Sequence, residues 1–319
     1  MERHSSGEGP SSPSSSRRLI TAGQVFDGTK LLREALVVLQ DGIVEYVGPR
    51  SDYTSSSSTE TVENLGEDTL LTCGMMDLQM NGGGGLQFNE DISETTLEKM
   101  LEVCLEHGTS SFMPTMLTSS FDDLRSSLEV VKAWVAKHGL TRGVVGIHLE
   151  GPFLSQEKKG IHMEALLQEA TQEKLDEIAG YAALFPVLMT VAPEKVSTEQ
   201  VKRMTEKGVV LSIGHSKATY EVTKACLEAG ASAATHLFNA MSGLSARDPG
   251  VIGAVLNHPS CYVGIIADLH HVHPANIEIA ARLKPDNLMM VTDCHSPAGT
   301  ELQHSSSTAG RCTCETGDA

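Results

Sequence analysis

The sequence predicts an α/β protein built on a (β/α)8 barrel of the TIM type, with a small β-domain at the N-terminus. Eight apolar, strand-like runs follow one another between residues 74 and 296, and segments with helical apolar spacing lie between them. No dinucleotide or Walker glycine motif follows any of these runs. Eight strands with helical crossovers therefore favour a closed barrel over an open doubly wound sheet.

The N-terminal segment precedes the barrel and has a different pattern. Residues 1–18, rich in Ser, Gly and Pro, are expected to form a disordered tail. Residues 19–70 are assigned to the small β-domain, because LITAGQVFDG and ALVVLQDGIVEYVG have strand patterns. Asp41-Gly42 lies between two apolar runs and predicts a hairpin turn. A Ser-rich loop over residues 51–60 follows these strands.

The barrel is assigned to residues 71–300. Its strands are predicted in GMMDLQMNG, SSFMPTML, GVVGIHLEG, FPVLMTVAPE, VVLSIGHS, ASAATHLFNA, YVGIIADLHH and LMMVTDCHS. Helices are predicted in SETTLEKMLEVCLEHG, STEQVKRMTEKG and ATYEVTKACLEAG, where helical apolar spacing ends at a glycine.

Composition limits the classes of partner. The net charge of −17 argues against nucleic acid and anionic membranes as partners, since both repel an acidic surface. No apolar run approaches the ~18 residues of a membrane span, and the N-terminus has no apolar signal region. The seven cysteines are scattered, as expected of reduced thiols in a cytoplasmic protein.

Polar residues stand at the ends of most predicted strands, where such barrels build their active sites. Glu150, His215 and His236 follow three of these strands. One carboxylate and two imidazoles match a catalytic zinc site with a fourth position left for water. A single histidine at a strand end is more often structural, so the prediction depends on the three residues converging. His148 shares a strand face with Glu150, and we interpret it as a layer residue of the barrel.

Two further residues have a functional and a structural interpretation. Asp293 ends the eighth run, where its carboxylate could take a proton from a water bound to the metal; the alternative is a helix N-cap. Arg247 lies in the loop ARDPG and could bind a phosphate through two hydrogen bonds, although most loop arginines are simply solvated.

Several motifs together resemble the N-acetylglucosamine-6-phosphate deacetylase family of the amidohydrolase superfamily. They are MDLQMNGGGGLQFN, HLEGPFLSQEKKGIH, SIGHS, ATHLFNAM, RDPGVIG, GIIADLHHVHPANI and VTDCHSPAG, in this order. The resemblance as a whole runs from about residue 20 to about residue 300. The superfamily commonly has a His-x-His pair on the first strand, where this chain has Gln79-Met80-Asn81. The loss of two imidazoles favours a single metal ion over a binuclear centre.

The resemblance implies a reaction and a set of roles. The reaction would be hydrolysis of the acetamide of N-acetyl-D-glucosamine 6-phosphate to D-glucosamine 6-phosphate and acetate, in amino-sugar catabolism. One divalent metal ion, expected to be zinc, and a homodimer are also implied. The site residues carried over are Glu150, His215 and His236 as metal ligands, Asp293 as the acid/base, His162 as the group that polarises the carbonyl, and Ile161, Asn239, Ala240, Arg247 and His271 as substrate contacts.

Two departures from the family pattern are visible. Leu269 and His270 stand where the family usually has a glycine followed by a small or apolar residue, which leaves His270 as a competitor for the role of His271. After Thr300 the sequence turns to Ser, Thr, Cys and Gly, as in an altered reading frame or splice product. We therefore expect the C-terminal half of the β-domain to be missing, residues 301–319 to be a disordered tail, and the chain to have little stability or activity.

The sequence leaves three hypotheses for the function. The first is the sugar-phosphate deacetylase. The second is a related amidohydrolase that acts on another N-acyl amine or a cyclic amide. The third is an inactive fragment that binds the ligand or its full-length relative without turnover.

Overall fold

The computed structural model describes residues 17–54, 61–301, 304–307 and 310–313. The chain divides into two compact units, Met1–Gly74 and Met75–Ala319. No helix among the described residues is both long enough and apolar enough to cross a membrane.

The first unit contains two small sheets. Its strands are β1 (Arg17–Thr21), β2 (Gln24–Phe26), β3 (Leu31–Arg33), β4 (Ala35–Gln40), β5 (Ile43–Pro49), β6 (Val62–Asn64) and β7 (Leu70–Leu71). They form sheets in the orders β5-β4-β1-β6 and β3-β2-β7. The predicted hairpin is present: Asp41 and Gly42, at φ 52° and 80°, connect the antiparallel strands β4 and β5, as a type I′ turn requires. β1 begins at Arg17, two residues before the predicted strand.

The second unit alternates strands and helices. Its strands are β8 (Met75–Met80), β9 (Gly82–Gly83), β10 (Leu86–Gln87), β11 (Thr109–Leu117), β12 (Ile147–Glu150), β13 (Val187–Val191), β14 (Val210–Ile213), β15 (Ala233–Ala234), β16 (Tyr262–Ile266), β17 (Leu288–Val291), β18 (His304–Ser307) and β19 (Gly310–Thr313). Its helices are α1 (Glu94–Glu106), α2 (Phe121–His138), α3 (Gln172–Tyr181), α4 (Thr198–Glu206), α5 (Tyr220–Glu228), α6 (Gly250–Asn257) and α7 (Pro274–Leu283).

The eight predicted barrel strands are all present. They pair in parallel in the order β17-β16-β15-β14-β13-β12-β11-β8. The ends of this sheet meet through a parallel bridge between Met80 and Cys294, and the Asp293 N–H donates to the Gln79 carbonyl at 2.9 Å. The barrel is therefore nearly closed, and the predicted fold class is confirmed.

Burial explains why these runs form strands. All four residues of β12, Ile147 to Glu150, are buried, as expected of a parallel strand covered on both faces. The core is continuous and includes Trp134, Phe112 and Leu149. The three predicted helices correspond to α1, α4 and α5.

Two further predictions concern the ends of the chain. β18 and β19 pair as an antiparallel hairpin, where the sequence indicated no regular structure. Residues 1–16 and most of the remainder of 301–319 lie outside the described residues. The predicted disorder stays a prediction for those residues, whereas residues 304–307 and 310–313 form paired strands.

Candidate active site

Three predicted metal ligands converge at the carboxyl ends of the barrel strands. Glu150 is the last residue of β12, and His215 and His236 each come two residues after a strand ends. Oε1 of Glu150 lies 2.9 Å from Nε2 of His215 and 3.0 Å from Nε2 of His236, and the two Nε2 atoms are 3.0 Å apart. These three buried residues are the group among the described residues that could hold a metal ion.

Neighbouring groups fix the orientation of this cluster. The Lys158 carbonyl accepts a hydrogen bond from Nδ1 of His215 at 2.8 Å, which holds the ring with Nε2 facing Glu150. Gln79 Nε2 donates to the second oxygen of Glu150, Oε2, at 3.2 Å. His215 and Glu150 are thus held by contacts on their far sides, as ligating side chains in proteins usually are, whereas the buried Nδ1 of His236 has no hydrogen-bond partner among the described residues.

The electrostatics of the cluster favour a positive charge beside Glu150. Burial acts to raise the pKa of Glu150, but hydrogen bonds from His215 and His236 outweigh it and hold this pKa well below its usual range. Burial acts to lower the pKa of His236, yet the hydrogen bond to Glu150 raises it to about 9. The ionised carboxylate stabilises a nearby cation.

Asp293 lies at the end of β17 beside this cluster. Asn81 Nδ2 donates to Asp293 Oδ1 at 2.7 Å and to the Asp293 carbonyl at 3.3 Å. Burial, together with the negative charge of Glu150, raises the pKa of Asp293 to about 7. A carboxyl group with a pKa in this range can both accept and return a proton near neutral pH.

His162 approaches the cluster from the loop after β12. Its Nε2 is 3.9 Å from Glu150 Oε1, and its Nδ1 accepts a hydrogen bond from the Thr118 N–H at 3.3 Å. The proton of the neutral ring is therefore on Nε2, which faces the cluster. Burial and the neighbouring His215 lower the pKa of His162 to about 3. The ring is a neutral hydrogen-bond donor toward the site.

Left-handed backbone conformations are concentrated around the site. Non-glycine residues with positive φ include His215 (46°), His236 (31°), Phe238 (80°), Ala240 (49°), Leu269 (67°) and Asp293 (52°). Such conformations are disfavoured for residues with a Cβ and persist where surrounding contacts impose them. The strand ends are therefore held in the turns that aim these side chains inward.

A cavity of about 760 Å³ opens over the cluster. The predicted residues that line it are Glu150, Ile161, His162, His215, His236, Asn239, Ala240, His271 and Asp293. The buried amide nitrogen of Asn239 has no hydrogen-bond partner in the described structure, so a donor is available to a ligand. Arg247 is exposed before α6 and does not line this cavity, and its role stays a prediction.

Other lining residues were not assigned a role from the sequence. Asp268 accepts hydrogen bonds from the N–H groups of His270 and His271, both at 2.9 Å, and its Oδ2 lies 2.6 Å from His271 Nδ1. No sequence pattern indicated this pairing, because Asp268 and His271 lie in a turn outside any helix. His270, the competitor of His271, and His295 also line the cavity.

His148 occupies the interior of the barrel, as a layer residue would. The Met80 N–H donates to Thr115 Oγ1 at 2.9 Å, and Thr115 Oγ1 lies 3.1 Å from His148 Nδ1. His148 Nε2 is 2.8 Å from Thr190 Oγ1, which is 2.6 Å from Thr235 Oγ1. Both ring nitrogens of His148 therefore face a threonine hydroxyl, and each hydroxyl can donate or accept.

Comparison with known proteins identifies the family. No protein-family model matches the chain. The N-acetylglucosamine-6-phosphate deacetylase of Haemophilus influenzae is 38% identical over 276 residues, which cover 86% of this chain and 70% of that protein. The chain belongs to the N-acetylglucosamine-6-phosphate deacetylase family. Enzymes with this name are hydrolases that act on amide bonds.

Other deacetylases of amino-sugar phosphates are similar to this chain in sequence or structure. The solved Pasteurella multocida deacetylase has a TM-score of 0.88 and 34% identity, covering 94% of this chain and 78% of that one. A Mycobacterium smegmatis deacetylase mutant, solved with N-acetyl-D-glucosamine-6-phosphate, has a TM-score of 0.80 and 28% identity, covering 91% and 74%. An N-acetylgalactosamine-6-phosphate deacetylase from Shewanella is 35% identical over 288 residues, covering 87% and 71%.

Proposed function

We propose that this protein hydrolyses the acetamide of N-acetyl-D-glucosamine 6-phosphate and releases D-glucosamine 6-phosphate and acetate. The observation that carries the proposal is the convergence of Glu150, His215 and His236 beside Asp293, at the mouth of the barrel of a chain from this deacetylase family. A free carboxyl group beside a three-residue ligand set is the arrangement that metal-assisted hydrolysis uses.

The donor set fits one divalent metal ion, and zinc is the ion we propose. Two imidazole nitrogens and one carboxylate oxygen face one another, and the ionised Glu150 stabilises a cation there. When bound, the ion would polarise the carbonyl and lower the pKa of a coordinated water toward about 7. Glu150, His215 and His236 would hold it, with Gln79 and the Lys158 carbonyl fixing their orientation.

Asp293 and His162 would carry the proton chemistry. Asp293 takes the proton of the attacking water and returns it to the amine nitrogen, because the C–N bond breaks readily only when the leaving amine is protonated. The Nε2–H of His162 donates a hydrogen bond to the acetamide oxygen, where negative charge develops during attack. Its lowered pKa keeps this ring from exchanging protons near neutral pH.

The remaining lining residues would bind the sugar phosphate. The unpartnered amide nitrogen of Asn239 can donate to it, and Ala240 and Ile161 would contribute through the main chain. Asp268 holds the Nδ1 side of His271, so the Nε2 side of that ring is left for the sugar phosphate. Arg247 is proposed as a further phosphate contact from outside the cavity lining.

Acetate release tests the proposal. The purified protein would be treated with a chelator and then assayed on N-acetylglucosamine 6-phosphate with zinc or other divalent ions added back. His107→Ala, which changes an exposed histidine outside the site, is the matched control for His215→Ala. We expect metal-dependent acetate release by the wild type and by His107→Ala. Release that is equal in His215→Ala would contradict the proposed site.

The same assay separates the remaining alternatives. The similarity to the Shewanella protein favours N-acetylgalactosamine 6-phosphate as a second candidate substrate, because the two sugars differ only at one hydroxyl. Turnover of the galacto-epimer alone would reassign the substrate, and turnover of an unrelated N-acyl amine or cyclic amide would reassign the enzyme. Sugar-phosphate binding without turnover of any substrate would indicate a binding fragment.

Assembly and location complete the proposal. We propose a homodimer in the cytoplasm, which acts on a small sugar phosphate and engages neither nucleic acid nor membrane. The net charge of −17 supports the last two exclusions. Light scattering of the purified protein tests the dimer.

A further inference from the structure

The segment at the end of β8 is tied to the segment after β17. Asn81 follows β8 directly and is 0% exposed. Its backbone N–H donates to the Cys294 carbonyl at 2.8 Å, and its side-chain nitrogen donates to Oδ1 and to the carbonyl of Asp293. The Asn81 side chain therefore contacts the proposed acid/base directly.

The orientation of the Asn81 amide follows from its neighbours. The Asp293 carbonyl can only accept a hydrogen bond, so the group 3.3 Å from it must be the NH₂ and not the amide oxygen. The same NH₂ faces Asp293 Oδ1 at 2.7 Å, a length typical of a charge-assisted hydrogen bond. The reverse orientation would place three acceptors against one another without a proton.

This contact distinguishes the two oxygens of Asp293. An amide NH₂ donates and cannot accept, and a protonated Oδ1 is a poorer acceptor than a carboxylate oxygen, so a proton on Oδ1 would weaken the 2.7 Å hydrogen bond. Oδ2 makes no hydrogen bond to any residue that the structure describes, and Asp293 lines the cavity. Proton exchange with the substrate is therefore directed to Oδ2.

We propose that Asn81 is a positioning residue for the hydrolysis: it occupies Oδ1 of Asp293 and leaves Oδ2 as the oxygen that carries the proton. The inference rests on the function proposed above. It requires no contact between Asn81 and substrate. Gln79, two residues earlier on the same strand face, binds the metal-ligand candidate Glu150 instead, so neighbouring amides serve different parts of the site.

The kinetic test compares variants of these two amides. Asn81→Leu removes the donor, and we expect kcat to fall ~10- to 100-fold, as when an orienting partner of an active-site group is lost. KM and metal content should stay near the wild-type values, because the ligands and the sugar contacts are intact. Gln79→Leu, which removes the partner of Glu150, should instead lower metal content. Wild-type kcat in Asn81→Leu would overturn the proposal.

A double-mutant cycle tests the contact without relying on activity. Asn81→Asp places two carboxylates against each other and should lower the urea midpoint of unfolding. Adding Asp293→Asn restores a donor and an acceptor, and should recover most of that midpoint while leaving the enzyme inactive. Additive midpoints would overturn the contact. An inactive wild type would refute the proposed function, and the cycle would still decide whether Asn81 and Asp293 are coupled.

Discussion

Glu150 Oε1 lies within 3.0 Å of the Nε2 atoms of His215 and His236. Two protein ligands seldom hold zinc tightly, so His215→Ala should lose metal, whereas His107→Ala should keep it. The measurement is metal content by mass spectrometry after dialysis. Stoichiometric metal in His215→Ala would remove His215 from the ligand set.

Asp293→Asn separates metal binding from proton transfer. The amide is nearly isosteric with the carboxyl group but cannot accept and return a proton, so turnover should fall by about 10²–10⁴-fold. Metal content should stay unchanged, because Asp293 is not one of the three converging ligands. Steady-state kinetics and metal analysis of the same preparation check both parts. Near-normal turnover would assign the acid/base role to another residue.

The left-handed backbone of Leu269 should lower the free energy of unfolding of the protein. Leu269 is 63% exposed and has φ 67°. That conformation costs a residue with a Cβ ~1–2 kcal/mol in the folded state, and glycine does not pay this cost. Glycine also raises the entropy of the unfolded chain, which reduces the gain in stability by ~0.4–1 kcal/mol. Leu269→Gly should therefore stabilise the protein by about 0.5–1 kcal/mol in urea unfolding. Leu244→Gly, at an exposed leucine with ordinary φ, is the control and should give no gain.

Single residues differ in how far the sequence predicts them. Glu150, His215 and His236 could be predicted to converge, because parallel strands bring their carboxyl ends to one edge of a barrel. The partner of His271 could not, because Asp268 reaches that ring through a turn whose geometry depends on the left-handed Leu269. The position of Arg247 relative to the cavity could not be predicted, because an exposed loop has no apolar periodicity that fixes where its side chains lie.

At the scale of elements, α4 has the most complete start signal. Ser197 accepts a hydrogen bond from the Gln200 N–H, and the Gln200 side chain accepts one from the Ser197 N–H. Ser197→Ala leaves one of these donors unsatisfied and should lower the free energy of unfolding by about 1 kcal/mol. Thr198→Ala, one residue later, removes no bond to a helix N–H and is the matched control. Equal effects of both changes in urea unfolding would contradict the capping role.

Element boundaries depend on such local chemistry. The strand runs and α4 were predictable because apolar spacing and a serine–glutamine pair are visible in the sequence. Loop conformations at the strand ends were not, since left-handed residues such as His215 and His236 are imposed by tertiary contacts. One such contact is made by Glu194, whose carboxylate accepts hydrogen bonds from Ser216 Oγ at 2.6 Å and the Lys217 N–H at 2.9 Å.

At the scale of the barrel, closure depends on a buried carboxylate. Asp77 on β8 accepts hydrogen bonds from the N–H and hydroxyl of Thr292, directly after β17. Burial raises the pKa of Asp77, although the hydrogen bonds from Thr292 and the Gln79 N–H act in the opposite direction. A carboxyl group whose folded pKa lies above its unfolded value of about 3.9 binds more protons in the folded state between those two values. Its contribution to stability therefore falls as pH rises through that window.

Asp77→Asn removes this titration. The free energy of unfolding of the variant, relative to that of the wild type, should increase as pH rises from below about 4 to above the raised pKa. Other titrating groups cancel in the difference between the two proteins. Urea unfolding of both proteins across this pH range is the measurement. A difference that stays constant, or that decreases with pH, would show that Asp77 does not titrate in the folded protein as inferred.

The whole barrel was predictable from eight apolar runs with helical crossovers, because few other folds bury eight parallel strands. The contact that brings β8 to β17 was not predictable. It joins Asp77 to Thr292 across 215 positions of sequence, and neither residue type indicates such a partner. The hairpin of β18 and β19 was also missed, because its Ser- and Thr-rich sequence lacks the apolar alternation that predicts strands.

The hydrogen-bond chain through His148 has a consequence for spectroscopy. Burial lowers the pKa of this ring to about 4, so near neutral pH the ring is neutral and carries a single N–H, which faces a threonine hydroxyl on either side of the ring. That proton lies between an imidazole and a threonine hydroxyl and is shielded from solvent, so it should exchange slowly enough to give a resolved proton resonance. His148 precedes Glu150 by two residues on the same strand. The chemical shift of this resonance should therefore change when the candidate metal site is occupied, so that metal binding can be followed without an added label.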